Sequence, residues 1–338
     1  MSPKESLDRA LAHDVPLEAV ALYARWWQME GWLRQLAYFV LRSAWGDTWE
    51  DQVNRKAAKY RDNDKLTHLS GPDNGDLLAY LDFSLLLKII EEEWILFEPF
   101  LLPKKIWLGR CEEFGTFRNR IAHLRRPAER DLERIEATLS DIEQGYREAW
   151  KAVSFATDPG DRPTDPVMED FRRGEMRALI DTALFRYGRY ALDPTLKVSR
   201  MPWAEVPDPP GPLAKTPGLF WQLDCGGPDI WVWPEDYRDA LPPEVRRVLA
   251  YTLTPGPNGA VFAVPVVDDP DKAILGLAGA LKSFLDSAVS SARIQPEDVE
   301  ARLGSERDLD PYVLVTHPFA LEEYPNPSSS IFGVKMAR

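Results

Sequence analysis

The run Phe117-Arg118-Asn119-Arg120-Ile121-Ala122-His123 sets a guanidinium, an amide and an imidazole at spacings that suit phosphate chemistry. On a helix turning about 100° per residue, Asn119 and His123 are four apart and share a face, with Arg118 on the flank. A guanidinium is a planar, permanently charged fork for phosphate oxygens. An imidazole exchanges protons near neutral pH, and the amide can orient it. RNA carries its own nucleophile, the 2′-hydroxyl, beside each phosphate. A histidine can take that proton or protonate the departing 5′-oxygen while arginine stabilises the charge that builds up between them. This route uses no metal, and DNA, lacking the 2′-hydroxyl, cannot follow it. One such helix supplies one histidine, whereas acid and base roles usually need two groups. A two-fold dimer presents the same helix twice around one cleft.

The local charge fits an anionic substrate. From Lys104 to Arg130 eight cations face three glutamates, a local excess of five positive charges on a chain whose net charge is −13. Arg120, Arg125 and Arg126 are therefore candidate substrate contacts. The overall balance argues against a protein coated with positive charge for indiscriminate nucleic-acid binding. Cys111 and Cys225 stand far apart without a CxxC pair, and His13, His68, His123 and His317 are scattered, so no metal or other cofactor is expected. Asp224-Cys225-Gly226-Gly227 reads as a turn between two strands rather than the flank of a nucleophilic cysteine. The N-terminus lacks the pattern of a signal peptide. The best apolar run, Phe83 to Ile90, is interrupted by Ser84 and Lys88, so a soluble cytoplasmic protein with no membrane partner is expected.

Helices must position these residues. Only 6 of 29 prolines lie in residues 1–150, which suits a helix-rich first half, whereas 8 of 12 tryptophans fall there. Trp26, Met29, Leu33, Leu36 and Val40 form one stripe, which predicts a helix over about 16–44. Further helices are expected over about 49–61, 76–97, 106–125 and 127–153, the last with Pro127 in its first turn. Five helices with short connections imply an up-and-down bundle. Trp26, Trp27 and Trp32 read as core or dimer interface. The prolines and acids of 157–166 read as a linker. The second half mixes types, with helices over about 166–192, 242–252 and 270–292 and strands over 219–223, 230–233, 260–267 and 312–316. Trp221, Trp231 and Trp233 then read as sheet packing.

Arg118, Asn119, Ala122 and His123 together resemble the Arg-Asn-x-x-Ala-His form of the Arg-x4–6-His hallmark of HEPN domains. Glu30-Gly31-Trp32-Leu33-Arg34 is similar to the Glu-x-x-Leu-Arg pattern of that family's first helix, and Leu81-Asp82-Phe83 through Trp94 and Phe97 resembles its third. The resemblance covers about residues 1–152. It implies a helical bundle that dimerises and cuts RNA, as in abortive-infection, toxin–antitoxin and CRISPR-linked ribonucleases. In that reading Arg118, Asn119 and His123 are catalytic; Glu30 and Arg34, four apart, either brace their own helix or support those three from behind. HEPN toxins silenced by a partner nucleotidyltransferase carry Tyr two residues after the histidine. Here that residue is Arg125, which favours a self-contained defence protein over one held by a modifying antitoxin.

The expected architecture is thus a HEPN-type helical bundle over 1–153, a linker over 154–168 and an α+β domain over 169–338 that senses a trigger or restrains the nuclease. The expected function is metal-independent RNA cleavage by a homodimer in anti-phage defence. The competing reading is a non-catalytic HEPN adaptor that binds RNA or protein.

Overall fold

The computed structural model describes residues 2–13, 15–53, 55–64, 77–123, 125–187, 193–227, 230–232, 240–256 and 259–290. The chain divides into two compact units, one of residues 1–37 and 53–150, the other of 38–52 and 151–338. The first part of the chain is helical, and a small antiparallel sheet with helices follows later.

The first unit holds α1 (Pro3–Ala12), most of α2 (Leu17–Trp45), α3 (Arg55–Asp64), α4 (Phe83–Glu92), α5 (Trp94–Phe97), α6 (Lys104–Ala122) and nearly all of α7 (Asp131–Ser154). The α2 stripe forms as expected. Leu22, Trp26, Met29, Leu33 and Leu36 are buried, and the Trp26 ring meets Phe83 at 4.5 Å and Phe114 at 6.3 Å. Trp27, one step round the helix, is 68% exposed and is not core. The single helix expected over 76–97 is divided. A 3-10 turn at Leu77–Tyr80 precedes Asp82, whose carboxylate accepts the Leu85 amide (2.9 Å) and starts α4. A 3-10 turn over Gly46–Gln52 likewise replaces the start of the helix expected at 49, and α3 begins at Arg55. Ion pairs set α6 and α7 antiparallel, Arg120 with Asp131 at one end, then Arg134 with Glu113 (3.0 Å) and Arg110 with Asp141 (4.0 Å).

The second unit is built on a sheet of order β1-β2-β5-β4, antiparallel throughout, from β1 (Thr195–Arg200), β2 (Leu219–Gly226), β4 (Tyr251–Gly256) and β5 (Gly259–Pro265). A two-stranded ladder joins β3 (Ile230–Trp231) and β6 (Val289–Ser290). Both faces of β2 are covered, which is why Leu219–Leu223 is buried without alternation, its one polar side chain, Gln222, hydrogen-bonded to Ser199 and Tyr251. The last turns of α2 lie on one face, where Phe39 stacks on Phe220 at 5.6 Å. Pro270–Ser287 (α11) covers the other, with Phe284 on Phe262. Cys225 lies inside β2 and not in a turn, fully buried, and burial pushes its thiol well above the ordinary value. The helix expected over 166–192 is two, α8 (Pro166–Arg173) and α9 (Glu175–Tyr187), because the Asp170 carboxylate turns back to accept the Glu175 and Met176 amides. The helix expected over 242–252 ends early, at α10 (Pro243–Val248), before β4. The strand expected over 312–316 lies outside the described residues.

The segment 154–168 is packed into this unit and is not a free linker. Arg162, 1% exposed, donates to the carbonyls of Pro159 (2.6 Å), Pro207 (2.6 Å) and Gly211, and buried Asp165 caps α8. A buried ion pair ties α2 to the strand connections of the same unit. Arg42, 2% exposed, grips Asp268 through both guanidinium ends and reaches the Val248 carbonyl at 3.2 Å. The next turn begins at Gly46, whose φ is +55°; a Cβ there would fall 2.3 Å from Asp268 Oδ1.

Candidate functional site at the end of α6

Trp107, Phe114 and Phe117 bury the inner side of α6 and fix its rotation about its axis. Asn119 is therefore carried to the outside, and Arg118, one turn after Phe114, is exposed on the last turn of the helix. The helix runs through Ala122 and stops at His123, whose φ of −103° and ψ of 16° leave the helical region while its amide still donates to the Asn119 carbonyl at 3.2 Å. Asn119 and His123 thus sit one turn apart on one side, as their spacing requires, with Arg118 beside them. All three are exposed, and among the described residues their side chains make no hydrogen bond or ion pair with the rest of the chain.

The neighbouring cations divide into two groups. Arg120 is half-buried and donates to Asp131 at the start of α7, so its guanidinium is held inside the protein rather than offered to solvent. Arg110 is held by Glu113 at 3.0 Å. Arg118, Arg125, Arg126 and Arg130 are exposed and have no acidic partner among the described residues. The positive charge available to a ligand is therefore concentrated at the end of α6 and in the connection to α7, next to His123.

Comparison of the chain with protein-family models, with curated proteins and with solved structures returns no match. What this helix end can do rests on its own chemistry. Glu30 and Arg34 pair with each other, and neither is recorded in contact with Arg118, Asn119 or His123. Glu30 accepts from the Trp26 indole at 2.8 Å, and Arg34 donates to the carbonyls of Leu78 (3.0 Å) and Leu81 (3.2 Å). Because Trp26 packs on Phe114, one turn before Arg118, this pair supports α6 through the core.

Asp131 is the residue that reading by type overlooked. It is 4% exposed, and one of its oxygens accepts both Arg120 and the Ala128 amide, the latter at 2.8 Å. The available signal was an acid in the first turn of a helix, obscured because the helix was expected to begin at Pro127 rather than at Asp131. Among the described residues no cluster of three or more His, Cys, Asp or Glu could hold a metal, and no helix is long and apolar enough to cross a membrane. Cys111 on α6 is half-buried, and burial together with the Glu91 charge pushes its thiol up to about 12, which makes it a poor nucleophile at neutral pH.

Proposed function

We propose that the helical N-terminal part of this protein is a HEPN-type endoribonuclease that cuts RNA without a metal. One observation carries the reading: Arg118, Asn119 and His123 stand exposed, and without internal partners among the described residues, at the end of a helix that Trp107, Phe114 and Phe117 anchor. Residues that serve the fold are engaged, as Arg120 is; these three are free to meet a substrate.

In the reaction, His123 of one subunit takes the proton from the 2′-hydroxyl as that oxygen attacks the adjacent phosphorus. His123 of the second subunit protonates the departing 5′-oxygen. Arg118 binds the phosphate oxygens as their charge grows, and Asn119 orients the imidazole. The products are a 2′,3′-cyclic phosphate and a 5′-hydroxyl. Arg125 and Arg126 hold flanking phosphates. The α+β part senses a trigger or restrains the nuclease, as control of a toxic activity in cytoplasmic anti-phage defence requires.

The test is cleavage of total RNA in EDTA by the wild type and by His123→Ala, with the mass of both measured in solution. Dimers of both proteins, 2′,3′-cyclic phosphate ends from the wild type and a loss of about 10²-fold or more in the variant support the assignment. Equal cleavage by both would sink it. RNA binding by both with cleavage by neither would favour the non-catalytic adaptor.

A further inference from the structure

Resting on that reading, we propose that Asp131 is a positioning residue for His123, acting through Arg120 and the Ala128 amide. Arg120 lies three residues before His123 and Asp131 eight after it, so their ion pair brackets the histidine in the chain. The tie is not confined to side chains. The Arg125 amide donates to the Arg120 carbonyl at 2.9 Å, and the Asp131 amide donates to the Ala128 carbonyl at 3.0 Å. The Asp131 carboxylate returns the contact, accepting the Ala128 amide and the Arg120 guanidinium on a single oxygen. Asp131 is buried whereas His123 is exposed and has no side-chain partner of its own among the described residues. The point from which the imidazole reaches substrate is therefore set by the backbone that carries it, and that backbone is fastened by Asp131.

A buried carboxylate that loses its guanidinium, or a guanidinium that loses its carboxylate, leaves an uncompensated charge. The two residues should accordingly behave as one unit. A phosphate contact by Arg120 would behave differently, because it would change substrate affinity and salt dependence with no involvement of Asp131.

The experiment uses the full chain carrying Asp131→Ala, Asp131→Asn, Arg120→Met and the Arg120→Met/Asp131→Ala double change. Amide exchange at Arg125 and Ala128 and the ring signals of His123 are followed by NMR, and cleavage is followed in parallel. Exchange is expected to quicken about tenfold in Asp131→Ala and Arg120→Met, with the His123 ring signals moving and those of His13 staying. Asp131→Asn, which can still accept the Ala128 amide, should recover part of the change. In cleavage, kcat should fall about 10²-fold with KM held within about twofold, and the double variant should be no slower than the worse single one. Unchanged exchange and unchanged His123 signals overturn the proposal whatever the cleavage shows, as does a rise in KM confined to Arg120→Met. Signals that move in the variants, with a wild type that never cleaves RNA, would support the positioning and count against the ribonuclease reading alone.

Discussion

Arginines near His123 of the same type and similar position in sequence do different work because of what each side chain meets. Arg120 turns in to a buried carboxylate, while Arg118, Arg125, Arg126 and Arg130 are exposed with no acid against them among the described residues. The types in the Arg118–His123 run were legible from sequence because Arg, Asn and His carry their chemistry with them. Which arginine is available was not legible, since that depends on Asp131, eleven residues along the chain from Arg120. If Arg125 and Arg126 hold phosphates, Arg125→Gln/Arg126→Gln in a His123→Ala background should weaken RNA binding. It should also flatten the slope of log affinity against log salt by about 0.7 for each lost contact. An unaltered slope would remove both residues from the interface.

At the scale of elements, α2 and α7 are readable from their apolar stripes, which repeat often enough to fix a period. β1 was missed because six residues with both faces partly covered offer too few alternations. β4 was read as the end of a helix because Leu249 breaks out only after the α10 turns, and nothing local marks the change. The two breaks made by Asp82 and Asp170 come from carboxylates that reach the backbone, a choice settled by side-chain geometry. α6 offers a test of its own. Gly109 lies in the helix interior with nothing within 4 Å of where a Cβ would stand. Gly109→Ala should therefore stabilise the protein by about 0.5–1 kcal/mol, read as a higher urea midpoint. A lower midpoint would mean that the helix there is not as described.

For the whole molecule, the Arg42–Asp268 ion pair fastens two buried side chains 226 residues apart. Asp268→Ala leaves a guanidinium that is 2% exposed with only the Asp47 carboxylate, 3.4 Å away, as its acidic partner, and the expected loss is about 3 kcal/mol of unfolding free energy. A loss under about 1 kcal/mol in urea titration would contradict this. Asp47 adds a dependence on acidity. Burial works to raise its carboxyl, but hydrogen bonding with Lys272 and Asp268 and the charge of Arg42 hold it below the ordinary carboxylate value. A carboxyl depressed in the folded state stabilises above its unfolded pKa, and that stabilisation is lost as pH falls through the folded one. The wild type should therefore exceed Asp47→Asn in urea midpoint at pH 7, and the gap should close on acidification; a gap that widens would refute the assignment.

The split membership of α2 also sets a timetable. Arg42 leaves the ribosome 226 residues ahead of Asp268, and Phe39 leaves it well before Phe220 and Tyr251. At about 5–20 residues per second that interval is roughly 10–45 s. Throughout it an apolar and charged helix end awaits its sheet, so the nascent chain offers chaperones a defined binding window. An N-terminal part cut off after residue 153 would keep that window open for good.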